Sequence, residues 1–268
     1  MSQPCEAPPA LLSDSPADVL AGAARACVAH ADALDFLRSL PPACADILVT
    51  DPPYSSGGMT RGDRQGSGGA GSMKYARAES AAAAEIVGDV RDGRSYAFWC
   101  GMWLTFAKRV LKPGAFALVF TDWRQLPTMT DAVQAAGLVW RGVVVWNKRN
   151  AMPNKGRFRQ DCEFVVCATN GPRACGAKVN EPCWPGCYDV PLPRGERHAV
   201  CSKPEALMEA LIAPCPAGGV VLDPFVGWGA TPVAALRSGR RFLGCEISEA
   251  NRATTLARLE REAATLNG

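Results

Sequence analysis

The chain has 268 residues, 48% of them hydrophobic and 21% charged, with a formal net charge of +3. That length holds one sizeable core, or one core with a small appendage, and the near-balanced charge excludes overall polycationic character. No charged-then-apolar start resembles a signal peptide and no run is long enough to cross a bilayer, so a cytoplasmic setting with reduced thiols is expected.

In chain order, residues 1–16 are rich in Pro and Ser and are expected to be disordered. Asp32 stands before a short helix over 33–40 and suits its N-cap. A strand over 47–50 runs into Asp51-Pro52-Pro53-Tyr54. Paired prolines fix φ and remove two backbone donors, which leaves bare carbonyls beside the Asp51 carboxylate. Clustered acceptors next to a flat ring suit an amino group on a planar heterocycle, with Tyr54 stacking on its face. An ordinary strand-ending turn uses the same residue types.

Residues 55–72 carry many glycines with Arg61 and Arg64, a composition that builds no core; a mobile loop beside the site is expected there, within 55–95. A helix over 94–111 follows, with Phe98, Met102, Phe106 and Val110 as its core stripe. Lys112-Pro113-Gly114 should end it before a buried strand over 115–120. Asp122 and Trp123 lie at that strand's carboxyl end, where they would either line a base pocket or act as an N-cap and a packed ring. A helix over 126–136 and strands over 139–146 and 164–168 come next, the strands as an antiparallel pair at the sheet edge. Between Arg141 and Lys178 lie eight basic residues, opposed by Asp161 and Glu163, a pattern that fits nucleic-acid phosphates or a solvated face.

A helix over 203–213 precedes a strand over 219–222 and then Asp223-Pro224-Phe225-Val226-Gly227-Trp228-Gly229-Ala230-Thr231-Pro232. Two glycines between a strand and a helix let backbone approach a ligand, with Thr231 as the N-cap and Pro232 in the first turn. The strand over 241–245 ends in Glu246, a position that commonly binds the ribose hydroxyls of a nucleoside cofactor. An amphipathic helix over 248–266 closes the chain. The 12 cysteines are scattered without C-x-x-C, several inside apolar runs. Cys175, Cys183, Cys187, His198 and Cys201 are too irregularly spaced for a zinc site, so no metal is expected.

Asp51-Pro52-Pro53-Tyr54 followed by Asp223-Pro224-Phe225-x-Gly227-x-Gly229 resembles the S-adenosylmethionine-dependent DNA amino-methyltransferases. The motif order resembles the β class, and Trp146-Asn147-Lys148 with Met152-Pro153-Asn154 resembles the adenine-specific branch. His198 to Pro204 is similar to a further family segment, and the whole layout to compact bacterial and prophage members. The likeness covers about residues 28–265. Two departures stand out: Trp228 replaces a small residue between the glycines, and the His198–Lys203 spacing is one residue longer than the family pattern.

The resemblance implies an α/β fold with a doubly wound, mostly parallel Rossmann-like sheet. Its expected activity is methyl transfer to adenine N6 of flipped bases in duplex DNA, with cytosine N4 and a non-catalytic DNA-binding regulator as alternatives. A nicotinamide dehydrogenase leaves the prolines unexplained, and methylation of protein glutamine usually has the opposite motif order. The implied catalytic residues are Asp51, Pro52, Pro53 and Tyr54. The implied cofactor residues are Asp32, Asp51, Lys203, Asp223, Phe225, Gly227, Trp228, Gly229, Thr231, Glu246 and Ile247, Asp32 receiving the adenine amine. DNA contacts are expected from Arg61, Arg64, Lys148, Arg149, Lys155, Arg157 and Arg159. Residues 17–147 form the expected catalytic half, 148–197 the target-recognition segment and 198–268 the cofactor half. A homodimer is the expected assembly.

Overall fold

The structure is a computed structural model that describes residues 9–55, 91–150, 155–156, 158–173, 182–192 and 202–266. The strands are β1 (Ala10–Leu12), β2 (Ala24–His30), β3 (Ala45–Thr50), β4 (Leu111–Thr121), β5 (Val139–Asn147), β6 (Cys162–Thr169), β7 (Cys187–Asp189), β8 (Val220–Asp223) and β9 (Arg241–Glu246). The helices are α1 (Pro16–Ala21), α2 (Ala33–Ser39), α3 (Gly93–Val110), α4 (Leu126–Ala135), α5 (Glu205–Ile212), α6 (Ala230–Arg237) and α7 (Glu249–Leu266).

All nine described strands join one sheet in the order β1-β2-β9-β8-β3-β4-β6-β5-β7. Only β6 runs against its neighbours, pairing antiparallel with β4 and β5. Strands buried on both faces read as continuous apolar runs, and Ile47, Leu48 and Val49 are fully buried. Leu48 faces a cluster with α2, α3 and α4, whereas Ile47 and Val49 face α5, α6 and α7. The expected doubly wound α/β sheet is therefore present.

One pairing positions the site. β3 and β8 are adjacent and parallel, with Ile47 opposite Val221 and Leu48 opposite Leu222. More than 170 residues separate their tips in sequence, yet both tips leave the same edge of the sheet. In an open parallel sheet that carboxyl edge is where ligands bind.

Several expectations need correction. Ala10–Leu12 form an edge strand parallel to β2, so the N-terminal segment expected to be disordered is partly ordered. The buried face of α3 is Tyr96, Trp99, Cys100, Trp103, Leu104, Ala107 and Val110; Met102 and Phe106 pack partly buried against the same core, and Phe98 is 70% exposed. Of the expected stripe only Phe98 turns outward, because apolar residues occupy more than one face of this helix. Lys112-Pro113-Gly114 belongs to β4: Ala45 pairs with Leu111 and Ile47 with Phe116, so the Pro-Gly pair forms a bulge within the strand. Gly229, not Thr231, caps α6. The antiparallel β5–β6 pair is present, with β7 added outside it. Residues 56–90, holding most of the expected loop, lie outside the described residues.

Candidate active site

At the tip of β3, Asp51 is half-buried and both carboxylate oxygens have partners. Oδ1 accepts a hydrogen bond from the Tyr54 hydroxyl at 2.5 Å, and Oδ2 is 2.6 Å from the Lys203 ammonium. Lys203 arrives from the loop before α5 and also reaches Glu163 Oε2 at 3.1 Å. Glu163 lies in β6 opposite Trp146, and its Oε1 takes the Lys148 ammonium at 2.7 Å. Two carboxylates and two ammonium groups thus form a quartet, largely buried except for Asp51, whose side chain is 31% exposed. The Lys148 side chain is 7% exposed and those of Glu163 and Lys203 14% each. The Lys203 ammonium also lies 5.1–5.9 Å from the ring centres of Phe120, Tyr54 and Trp146. Such faces favour a cation.

Burial alone would raise the Glu163 pKa, but the two ammonium groups prevail and lower it to about 2. Burial alone would lower that of Lys203, but Asp51 and Glu163 prevail and hold it above the ordinary lysine range. Glu163 and Lys203 therefore both stay charged at neutral pH.

The tip of β8 is held differently. Asp223 is buried and accepts hydrogen bonds from the Thr50 hydroxyl at 2.6 Å, the Thr231 hydroxyl at 2.5 Å and the Phe225 N–H at 3.0 Å. The Thr50 bond stitches the two strand tips directly together. Desolvation pushes the Asp223 carboxyl up to about 6, against the lowering effect of those hydrogen bonds. Phe225 packs obliquely on Trp99 and edge-on to Trp103, with ring centres 5.4 and 5.2 Å apart.

The glycine loop divides into packed and open positions. Gly229 has φ +82°, and a Cβ there would lie 2.9 Å from Thr255. Gly244, in β9, would place a Cβ 2.5 Å from the Asp223 carbonyl oxygen, so only glycine lets that strand pass the loop. Gly227 has φ +55° and open space where a Cβ would be. Its N–H donates to Glu246 Oε2 at 2.8 Å, while Glu246 Oε1 accepts from Ser248 N at 2.9 Å. Asp32 is exposed and caps α2 through a bond from Leu34 N. It follows β2, which adjoins β9 with His30 opposite Glu246.

Asp32, Phe225, Gly227, Glu246 and the exposed Ile247 thus share one stretch of the carboxyl edge. Two carboxylates, apolar surface and an open glycine fit a nucleoside, which offers hydroxyl and amino donors and a flat ring.

Other expected residues fall elsewhere. Lys203 joins Asp51 and Glu163 rather than the stretch around Gly227 and Glu246. Asp223 and Thr231 are buried and satisfy each other, so they shape the loop instead of facing a ligand. The Trp228 carbonyl accepts a bond from Arg258 Nη1. Lys148, expected on DNA phosphates, is instead buried against Glu163, just past the end of β5. Arg149 is exposed and paired with Asp189 at 2.5 Å. Lys155 and Arg159 are exposed on either side of the 97% exposed Phe158. Arg61, Arg64, Arg157 and His198 lie outside the described residues. Asp122 is a turn-forming acceptor for the backbone N–H groups of Arg124 and Gln125, and Trp123 lies 4.7 Å beneath the Arg124 guanidinium. Glu163 was missed as a site residue; its signal was a single acid inside the apolar run Cys162 to Ala168.

Fold and geometry together define a Rossmann-like α/β core in which the β3 and β8 tips meet at the carboxyl edge of the sheet. The N6/N4 DNA methylase family matches residues 45–255, and the chain belongs to it. The Type II methyltransferase M2.DpnII of Streptococcus pneumoniae is 26% identical over 251 residues, 87% of this chain and 89% of that protein. Among solved structures, the M1.HpyAVI–SAM complex has a TM-score of 0.61 at 23% identity, covering 87% of this chain and 98% of that one. The cytosine-N4-specific PvuII DNA methyltransferase has a TM-score of 0.65 at 15% identity, covering 91% and 92%. The protein is a DNA methyltransferase, and its fold is that of these structures.

Proposed function

We propose that the protein methylates the exocyclic N6 of adenine in duplex DNA, as a member of the β class. One observation carries the reading: the Asp51-Pro52-Pro53-Tyr54 tip and the glycine loop leave adjacent parallel strands and are joined by the Thr50–Asp223 hydrogen bond. S-adenosylmethionine supplies an electrophilic methyl group when bound. Glu246 and Asp32 would hold its hydroxyl and amino groups, with Phe225 and Ile247 as apolar walls and Gly227 as open floor.

An exocyclic amine is a poor nucleophile because its lone pair is delocalised into the ring. The Asp51 carboxylate and the Pro52 carbonyl would accept its two N–H bonds, favouring a pyramidal nitrogen and stabilising the positive charge that grows on it. The nitrogen gains a methyl group and loses a proton toward Asp51, during or after transfer. Pro53 keeps the tip rigid. Tyr54 would stack on the flipped base and offset an unstacking cost of a few kcal/mol. Target recognition is assigned to 148–197 together with the segment after Tyr54. Exposed Arg149, Lys155 and Arg159 would meet phosphates, and the expected assembly is a homodimer.

Cytosine N4 is the second reading, favoured by the N4-specific PvuII neighbour. The test is a labelled-methyl assay on duplex DNA followed by nucleoside analysis. N6-methyladenine is the expected product; N4-methylcytosine alone would refute the adenine assignment.

A further inference from the structure

The catalytic tip presents a steric and electrostatic problem, because both Asp51 oxygens are already engaged. An incoming amine needs one of them. Of the two partners, Tyr54 is the exchangeable one: it is neutral, and Glu163 Oε2 already lies 3.4 Å from its hydroxyl. Lys203 is not readily exchanged, because Glu163 holds it from the other side at 3.1 Å and aromatic faces surround it. Lys148 takes the opposite Glu163 oxygen, which leaves Oε2 turned toward the site.

We infer that Glu163 is a positioning residue for methyl transfer: it anchors the Lys203 ammonium on Asp51 and accepts the Tyr54 hydroxyl when a base amine displaces it. The inference rests on the reading that Asp51 and Tyr54 receive the target base. No covalent step is involved. A donor moves from one carboxylate to the next, and the net charge of the quartet stays at zero.

The groups facing Lys203 are Asp51 beyond β3, Tyr54 in the same turn and Glu163 from β6, with the neutral rings of Phe120 and Trp146 from β4 and β5. Lys148 stands one carboxylate further away. Replacing Glu163 by Gln leaves two ammonium groups facing one carboxylate. Lys203 should then lose its proton at lower pH, and removing Lys148 as well should restore part of the balance.

The test uses the free full-length protein with isotope-labelled lysine, following the Lys203 Nζ resonance against pH. Glu163→Gln should lower its midpoint by about one to three pH units, and Glu163→Gln with Lys148→Met should recover part of that shift. In methylation assays Glu163→Gln should lower kcat about tenfold, leave KM for the methyl donor unchanged and give kcat an alkaline limb that the parent lacks. An unshifted Lys203 midpoint overturns the inference. So does a parental pH profile and kcat in a variant that has merely lost thermal stability. If the parent protein itself transfers no methyl group to DNA, the functional reading fails on that arm, and the titration still decides whether Glu163 anchors Lys203.

Discussion

The tips of β3 and β8 are hydrogen-bonded neighbours, but they are fixed by different physics. The β8 tip is held by saturated short-range bonds and by close packing: Asp223 takes three donors, and Gly229 and Gly244 are pressed against Thr255 and the loop backbone. The β3 tip is held by charges, with Asp51, Lys203, Glu163 and Lys148 alternating in sign across four separate strands and loops. Close packing is bistable at best and tolerates little displacement. A charge cluster instead lets one hydroxyl change acceptors while the remaining partners stay in place. On the proposed function, this difference matches a glycine loop that holds a cofactor of fixed shape and a proline tip that receives a base entering and leaving.

The comparison breaks most sharply at Asp51. Asp51→Ala should reduce transfer by about a thousandfold or more, since it removes the acceptor aimed at the growing charge. Calorimetry should show donor affinity nearly unchanged, because the nucleoside-side residues lie under the other tip. Within the glycine loop the two glycines should part company. Gly229→Ala should cost about 1–3 kcal/mol, read as a lowered Tm, from positive φ and the clash with Thr255. Gly227→Ala has room for its methyl and should fold better than Gly229→Ala, but should weaken donor binding if that room belongs to the donor.

Acid titration tests the charged tip. The folded pKa of Glu163 is about 2 against an ordinary value of 4.5. A depressed carboxyl stabilises the fold above its unfolded pKa, and that stabilisation is lost as pH falls from about 4.5 toward 2. Chemical denaturation of Glu163→Gln should therefore lack a stability decrease on the order of a few kcal/mol across that window. The smallest expected effect is at the rim. Lys155→Ala or Arg159→Ala should each lower the slope of DNA affinity against salt by about one. Lys148→Ala should leave that slope unchanged and destabilise the fold, because it strips a buried carboxylate of its partner.

What the sequence made visible follows from how local each signal is. The β3 strand with its proline tip is a contiguous run, and so is the order of strand, glycine loop, helix, strand and terminal acid around Asp223 and Glu246. The Glu163–Lys203–Asp51 contacts join residues 40 to 152 positions apart, and ion pairing at that range has no spacing to read. Lys148 was read as one member of a basic run, because composition does not tell which way a residue just past a strand turns. Thr231 and Asp223 matched the motif, but their side chains were already engaged with each other. Phe98 and Trp99 are both apolar neighbours on α3, and only the packing of Phe225 on Trp99 and Trp103 decides which one turns inward.

The most direct test is a crystal structure of the protein with a non-reactive analogue of the methyl donor and its duplex target. The account predicts an extruded adenine with its amine within hydrogen-bonding reach of Asp51, the analogue's sulfonium-mimicking centre facing that nitrogen, and the Tyr54 hydroxyl moved onto Glu163. A base held away from Asp51, or an analogue bound anywhere but beside Gly227, would contradict it.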